Sequence, residues 1–200
     1  MTCIIAHATR TSSFIAADKL GSNNFTKAIQ TEPKIFEKEF DSRVLEEGFI
    51  PTIHKDTMTI GYTTSFRMGQ LLEHCLVLPE KQPTQSFKEY LVQSVVPAIR
   101  TLFREEWGSR ADNQDVGGGQ FIILHKHKIY EIHEDFCVLE PKNNISAVGS
   151  GAYHAIAAMA AYLTVETETE VPLVDRIGSI FDIVSDHVVS VSFEHDILKY

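Results

Sequence analysis

The sequence predicts an α+β fold in which two antiparallel sheets face each other and a pair of helices covers each outer face. Three observations carry this expectation. Short apolar runs of strand character open the chain and return in its middle. Helical periodicity occupies two separate blocks, each following a block of strands. Strands grouped with strands and helices with helices indicate antiparallel layers rather than βαβ alternation. At 200 residues and 44% hydrophobic composition, the chain is long enough to bury a sizeable core and reads as one domain over 1–200.

Residues 3–7 (CIIAH) and 13–17 (SFIAA) are short, apolar and partly β-branched, and Ala8 to Ser12 between them is turn-like, which predicts a hairpin. The run 34–40 (KIFEKEF) alternates apolar and charged residues, as a half-buried strand does. Asp41 to Lys55 reads as a polar segment, and 57–62 (TMTIGY) as the next strand. From Ser65 the apolar spacing becomes helical up to Pro79, and a second helix is expected from about Thr84 to Trp107, kinked or broken at Pro97. Residues 108–119 read as a loop ending in three glycines.

Strands return at 120–126 and 128–133 as a tight meander, and again at 145–149 before the Gly149-Ser150-Gly151 turn. A small-residue helix follows over 152–163, then an acidic linker, then a helix opened by Pro172 and running to about Asp186. The last strand is expected at 188–193 (VVSVSF).

A net charge of −9 and a pI of about 5.4 argue against a phosphate-binding surface, so no nucleic acid partner is expected. The basic run Lys126 to Lys128, with His125 and His127, reads as the solvated face of a strand. Cys3, Cys75 and Cys137 lack the close spacing of a metal or redox motif and read as free thiols. No apolar run approaches the roughly 20 residues of a membrane span, and no secretory signal is evident, so the expected location is the cytoplasm, with no membrane partner.

Thr2 follows the initiator Met1. Removal of Met1 would leave one residue carrying both a hydroxyl nucleophile and a primary amine, whose ordinary pKa of about 7.7–8.0 suits it to act as a base. With Met1 attached that amine does not exist. Many chains begin Met-Thr with no catalytic consequence, so position matters. Asp18 closes an apolar strand and Lys34 opens another. Held beside Thr2 as an ion pair, the ammonium would favour the neutral amine and a developing alkoxide. The plainer alternative is strand-end charges facing water.

Thr2-Cys3-Ile4-Ile5-Ala6, Ala16-Ala17-Asp18 and Lys34-Ile35-Phe36 resemble the N-terminal region of proteasome β subunits and HslV, with no insertion between them. Ile60 to Ser65 resembles the family's glycine-rich strand-to-helix turn, Ala147 to Tyr153 its Gly-Ser-Gly segment, and Phe181 to Val188 the final helix and strand of HslV. Ser65 to Leu72 is similar to a group of HslV-like proteins in bacteria and phages. The resemblance covers nearly the whole chain. It implies the four-layer αββα sandwich of the N-terminal-nucleophile hydrolases and peptide hydrolysis through an acyl-enzyme on Thr2. Thr2, Asp18, Lys34 and Ser150 would be catalytic, with Thr64 near the oxyanion donor and Gly151 and Asp186 in positioning roles. It further implies stacked rings of the same chain, an ATP-dependent unfoldase and unfolded polypeptide as substrate. No cofactor is required. A structural cation on backbone carbonyls around Ser185, Val188 and Val191 is a weaker implication.

The chain departs from the family pattern in three respects. Thr64 stands where the family has glycine, Lys19 to Ser22 follow Asp18, and extra residues fall around 41–55 and 80–119. The alternative function is a catalytically inactive proteasome-like shell or scaffold subunit, and a third is an amidase of the same nucleophile class. His125, His127 and His133 invite a metal, but no Cys or acid completes a ligand set at characteristic spacing, and imidazoles on a surface strand are the plainer reading. Gly117 to Gly119 lacks the Lys-Ser/Thr of a phosphate loop. The alanines of 152–163 could form a partner-binding face, but tight helix-on-sheet packing explains them equally well and is the more common cause.

Overall fold

The computed structural model describes residues 2–22, 26–45, 51–106, 119–169 and 172–200. One sheet has the order β10-β1-β2-β11, built from β1 (Cys3–Ala8), β2 (Ser13–Asp18), β10 (Ile145–Gly149) and β11 (His195–Lys199). The other has the order β5-β6-β7-β8-β9, built from β5 (Ile35–Leu45), β6 (Pro51–Tyr62), β7 (Phe121–His125), β8 (Lys128–Ile132) and β9 (Val138–Leu139). Every pairing within both sheets is antiparallel. A small ribbon of β3 (Leu20–Ser22) and β4 (Lys27–Ile29) leads away from β2.

The apolar residues sort into three cores, and these define four layers. Ile4, Ala6, Ile15, Ile122, Leu124 and Val148 meet between the sheets. Their alternates Cys3, Ile5, Phe14 and Ala16 face outward onto α4 (Ala152–Thr169) and α5 (Ile177–His187). Phe121 and Ile123 face the other way, onto α1 (Phe66–Gln70), α2 (Phe87–Tyr90) and α3 (Val96–Glu106). Because strand side chains alternate, a strand covered on both faces is apolar throughout, which is why CIIAH and FIIL read as continuous runs. The predicted αββα layering is therefore the observed one. The sheets approach so closely that a Cβ at Gly61 would sit 2.9 Å from both Ile15 and Ile4.

Five expectations need correction. The polar segment 41–55 is mostly strand: β5 runs to Leu45 and β6 starts at Pro51, with a cross-strand Asp41–Lys55 ion pair at 2.5 Å. The first helix ends at Cys75 rather than near Pro79, through a π turn over Leu71–Cys75. Pro97 does not end the helix: α3 begins one residue before it, directly after a π turn over Leu91–Val95. α4 extends to Thr169 through much of the expected acidic linker.

The final strand is 195–199, not 188–193. Val191 N–H closes a turn on the Val188 carbonyl at 3.0 Å, and the more polar HDILK takes the open edge of β2. The C-terminal Tyr200 then bridges the sheets, its hydroxyl 2.6 Å from both Thr59 and Glu37. The loop expected at 108–119 lies outside the described residues except for Gly119. Among the described residues, no helix is long and apolar enough to cross a membrane.

Candidate active site

Thr2 precedes β1 and is almost wholly buried, at 5% exposure. Its carbonyl accepts from Ser150 Oγ at 3.3 Å and from Gly151 N–H at 3.4 Å, so the start of α4 holds it from one side. Gly149 makes that approach possible. Its φ is +94°, and a Cβ there would lie 2.1 Å from the Thr2 carbonyl oxygen. Only glycine meets both conditions without strain. A Cβ on Gly151 would likewise press on Cys3 at 2.7 Å.

Asp18 ends β2, one step beyond the Ile4–Ala17 pair and so beside Cys3. Its Oδ1 accepts from the Cys3 N–H at 2.8 Å and from Lys34 Nζ at 2.9 Å. Its Oδ2 accepts from the Leu20 and Ser192 N–H groups at 3.1 and 3.4 Å. Lys34 lies just before β5, with its side chain 2% exposed, and donates a second bond to the Leu20 carbonyl at 2.8 Å. Burial pushes the Lys34 ammonium below its ordinary pKa, while the charge of Asp18 and the hydrogen bond to it pull upward. Burial, followed by the charge of Asp18, pushes the Cys3 thiol up, which leaves it unreactive. These are not strand-end charges in water. The pair is sealed inside the protein next to residue 2.

A cavity of about 40 Å³ is lined by Thr2, Lys34, Ser22, Thr64 and Phe66, among others. Thr64 has φ +75°, a left-handed conformation that is a genuine outlier for a β-branched residue. Its neighbours close the corner, with Thr63 N–H bonded to the Gln120 carbonyl and Ser65 N–H to the Thr63 carbonyl. Among the described residues, no bond uses the Thr64 N–H. Strain of this kind concentrates where backbone must be aimed at a ligand.

Thr2, Asp18, Lys34, Ser150, Gly151 and Thr64 thus converge on one place. Asp186 does not: it stands exposed on the last turn of α5 and is not bonded to Ser150. Ser190 takes that position instead, buried and 2.9 Å from Ser150 Oγ. Reading 188–193 as a strand hid Ser190; a lone serine after paired valines was the signal available. Around the suggested cation segment, the Val188 carbonyl is engaged by Val191 N–H, and the Ser185 hydroxyl by the Asp182 carbonyl at 3.0 Å. No step below is routed through a cation.

The three histidines do not form a cluster. His125 is buried rather than on a solvated face, 3.1 Å from Asp56 and stacked on Phe87 at 3.7 Å. His127 sits in the β7–β8 turn at φ +60°, bonded to Ser13 Oγ at 3.0 Å, and His133 bonds Glu131 at 3.1 Å. Among the described residues, no group of three or more His, Cys, Asp or Glu could hold a metal.

A buried Lys–Asp pair, a strained turn and a serine-anchored helix start meet around residue 2. Solved structures place the architecture. BPH from Thiobacillus denitrificans, solved in complex with epoxomicin, superposes with a TM-score of 0.73 at 17% identity, covering 100% of this chain and 98% of that one. HslV from Trypanosoma brucei gives 0.63 at 17% identity, over 99% and 98%. The helical assembly of the Anbu complex from Pseudomonas aeruginosa gives 0.62 at 14% identity, over 100% and 81%. No family model and no curated protein matches the sequence. At these identities the likeness establishes the fold: the αββα sandwich of the proteasome-like N-terminal-nucleophile hydrolases.

Proposed function

We propose that the chain is a threonine-type endopeptidase that hydrolyses peptide bonds through an acyl-enzyme on Thr2 once Met1 has been removed. The observation that carries this reading is the Asp18–Lys34 pair, buried at 2.9 Å and bonded to the backbone adjoining Thr2. Such a pair is hard to maintain for stability alone, since burying two charges costs as much as their attraction returns.

In this mechanism the Thr2 hydroxyl attacks the substrate carbonyl and its own α-amine takes the proton, through water. Lys34 supplies positive charge where the alkoxide develops, and Asp18 holds Lys34 in place. The Thr64 N–H, aimed by its left-handed backbone, donates to the oxyanion; one such donor is worth about 2.7–4 kcal/mol in a comparable site. Ser150, backed by Ser190, fixes the Thr2 backbone and supports the amine. When the acyl-enzyme forms, the amine returns the proton to the leaving nitrogen, and water then releases the acyl group and restores the Thr2 hydroxyl. No cofactor enters any step.

The setting we propose is a self-compartmentalised assembly of this chain in the cytoplasm, stacked as rings and supplied with unfolded polypeptide by an ATP-dependent unfoldase. The Trypanosoma and Pseudomonas neighbours, an HslV and a helical assembly, support self-association. A fluorescently labelled unfolded protein tests the activity. Processed wild type should degrade it and Thr2→Ala should not; equal rates, or none from either, would remove the peptidase reading in favour of a shell or scaffold subunit.

A further inference from the structure

Ser190 reaches Ser150 from the loop that joins α5 to β11, and a second residue of that loop also meets the site. Ser190 Oγ lies 2.9 Å from Ser150 Oγ, and the Ser192 N–H donates to Asp18 Oδ2 at 3.4 Å. Neither residue belongs to a helix or strand, so the sheet ladders do not fix their places.

His195, the first residue of β11, stands where the loop ends and pairs with Asp18 in the β2–β11 register. Its ring lies nearly parallel to that of Phe181, with an interplanar angle of 12° and centroids 4.7 Å apart. Phe181 belongs to α5 and is wholly buried, so the stack gives the imidazole a fixed backing. His195 Nδ1 then lies 2.8 Å from the Phe193 carbonyl. A carbonyl oxygen can only accept, so Nδ1 carries the proton and donates. Among the described residues, no other bond engages that carbonyl. Phe193 is itself 60% exposed, so packing of its own side chain does little to place it. The next carbonyl, that of Glu194, accepts from the Lys19 N–H and from Ser192 Oγ, both at 2.9 Å. Residues 192–195 thus form a turn braced on β2 at one side and on the His195 ring at the other.

We infer that His195 is a positioning residue for the Thr2 nucleophile: by holding the Phe193 carbonyl it keeps Ser192 on Asp18 and Ser190 on Ser150. The inference rests on the peptidase reading and extends that site to a side chain that does not line the Thr2 cavity.

The two contacts of His195 can be removed one at a time. His195→Phe keeps a ring for the stack and loses the donor. His195→Asn loses the ring and keeps an N–H donor the same number of bonds from the backbone. The readout is the rate at which full-length protein, shown by mass to have lost Met1, forms an adduct with a threonine-directed epoxyketone. His195→Phe should slow the adduct about ten- to hundredfold, the scale on which a small displacement of reacting groups acts, while melting as wild type does. His195→Asn should react faster than His195→Phe although it melts lower. In a Ser190→Ala background, His195→Phe should slow the reaction less than it does in wild type, because the two residues act through one contact. A wild-type rate in His195→Phe would overturn the inference and leave the peptidase standing. Rates that follow melting temperature, with His195→Asn the slower, would do the same, since packing alone gives that order. Equal slowing in both backgrounds would overturn the route through Ser190. No adduct on processed wild type would overturn both readings.

Discussion

Lys34 and Thr64 are the two residues whose local circumstances are least comfortable, and each yields a measurable consequence. Replacing Lys34 with methionine strands the Asp18 carboxylate in a site where it is 1% exposed, with backbone donors as its remaining partners. Breaking a buried pair from one side costs about 3–5 kcal/mol, so urea denaturation should show Lys34→Met destabilised on that scale. A loss below about 1 kcal/mol would mean that the pair is solvated. Thr64→Gly should act in the opposite direction, gaining about 1 kcal/mol in the same assay by relieving the φ +75° backbone. It also keeps the N–H, so activity should survive. Thr2, Asp18 and Lys34 were singled out in the sequence by their places at the ends of strands together with the resemblance of the surrounding segments to proteasome β subunits. Ser190 and the left-handed twist at Thr64 were not, since both depend on how distant segments close around Thr2.

At the level of elements, the β7–β8 turn and α2 meet at His125. Burial lowers the pKa of this imidazole from 6.5 despite the hydrogen bond and charge of Asp56, with Lys126 and Lys81 adding to the depression. The unfolded chain therefore binds this proton first as pH falls. Stability should be fully present above the unfolded value and decline as pH drops below about 6.5 toward the lower folded value. His125→Phe keeps the stack on Phe87 and removes the proton. Its melting temperature should consequently fall less between pH 7 and pH 5 than that of wild type, whereas equal falls would assign the acid sensitivity elsewhere.

Elements with covered apolar faces, such as β1, β2 and β7, were readable from composition alone. The extended β5–β6 hairpin was not, because its polar residues gain from cross-strand pairing that no local window contains. The last strand was misplaced for a related reason: the open edge of β2, rather than the valine content of 188–193, selects its partner.

For the molecule as a whole, a net charge of −9 opposes close approach of identical copies except through uncharged surface. The outer side of α4 offers such surface: Tyr153, Ile156, Ala157, Ala160 and Ala161 are exposed, and Tyr153 reaches 88%. A helix that is apolar on its outer as well as its inner side is expected to be buried in an assembly. If the proposed assembly uses this face, Tyr153→Glu should lower the mass measured by light scattering while leaving the far-ultraviolet circular dichroism unchanged. An unchanged mass would exclude the α4 face from the contact.

The central claim is that Thr2 becomes a competent N-terminal nucleophile. Its most direct test is the intact mass of purified protein before and after treatment with a threonine-directed epoxyketone. The account predicts loss of the Met1 mass followed by a single probe adduct that is absent in Thr2→Ala. Retained Met1 with no adduct would contradict it and make this chain a structural member of the fold rather than an enzyme.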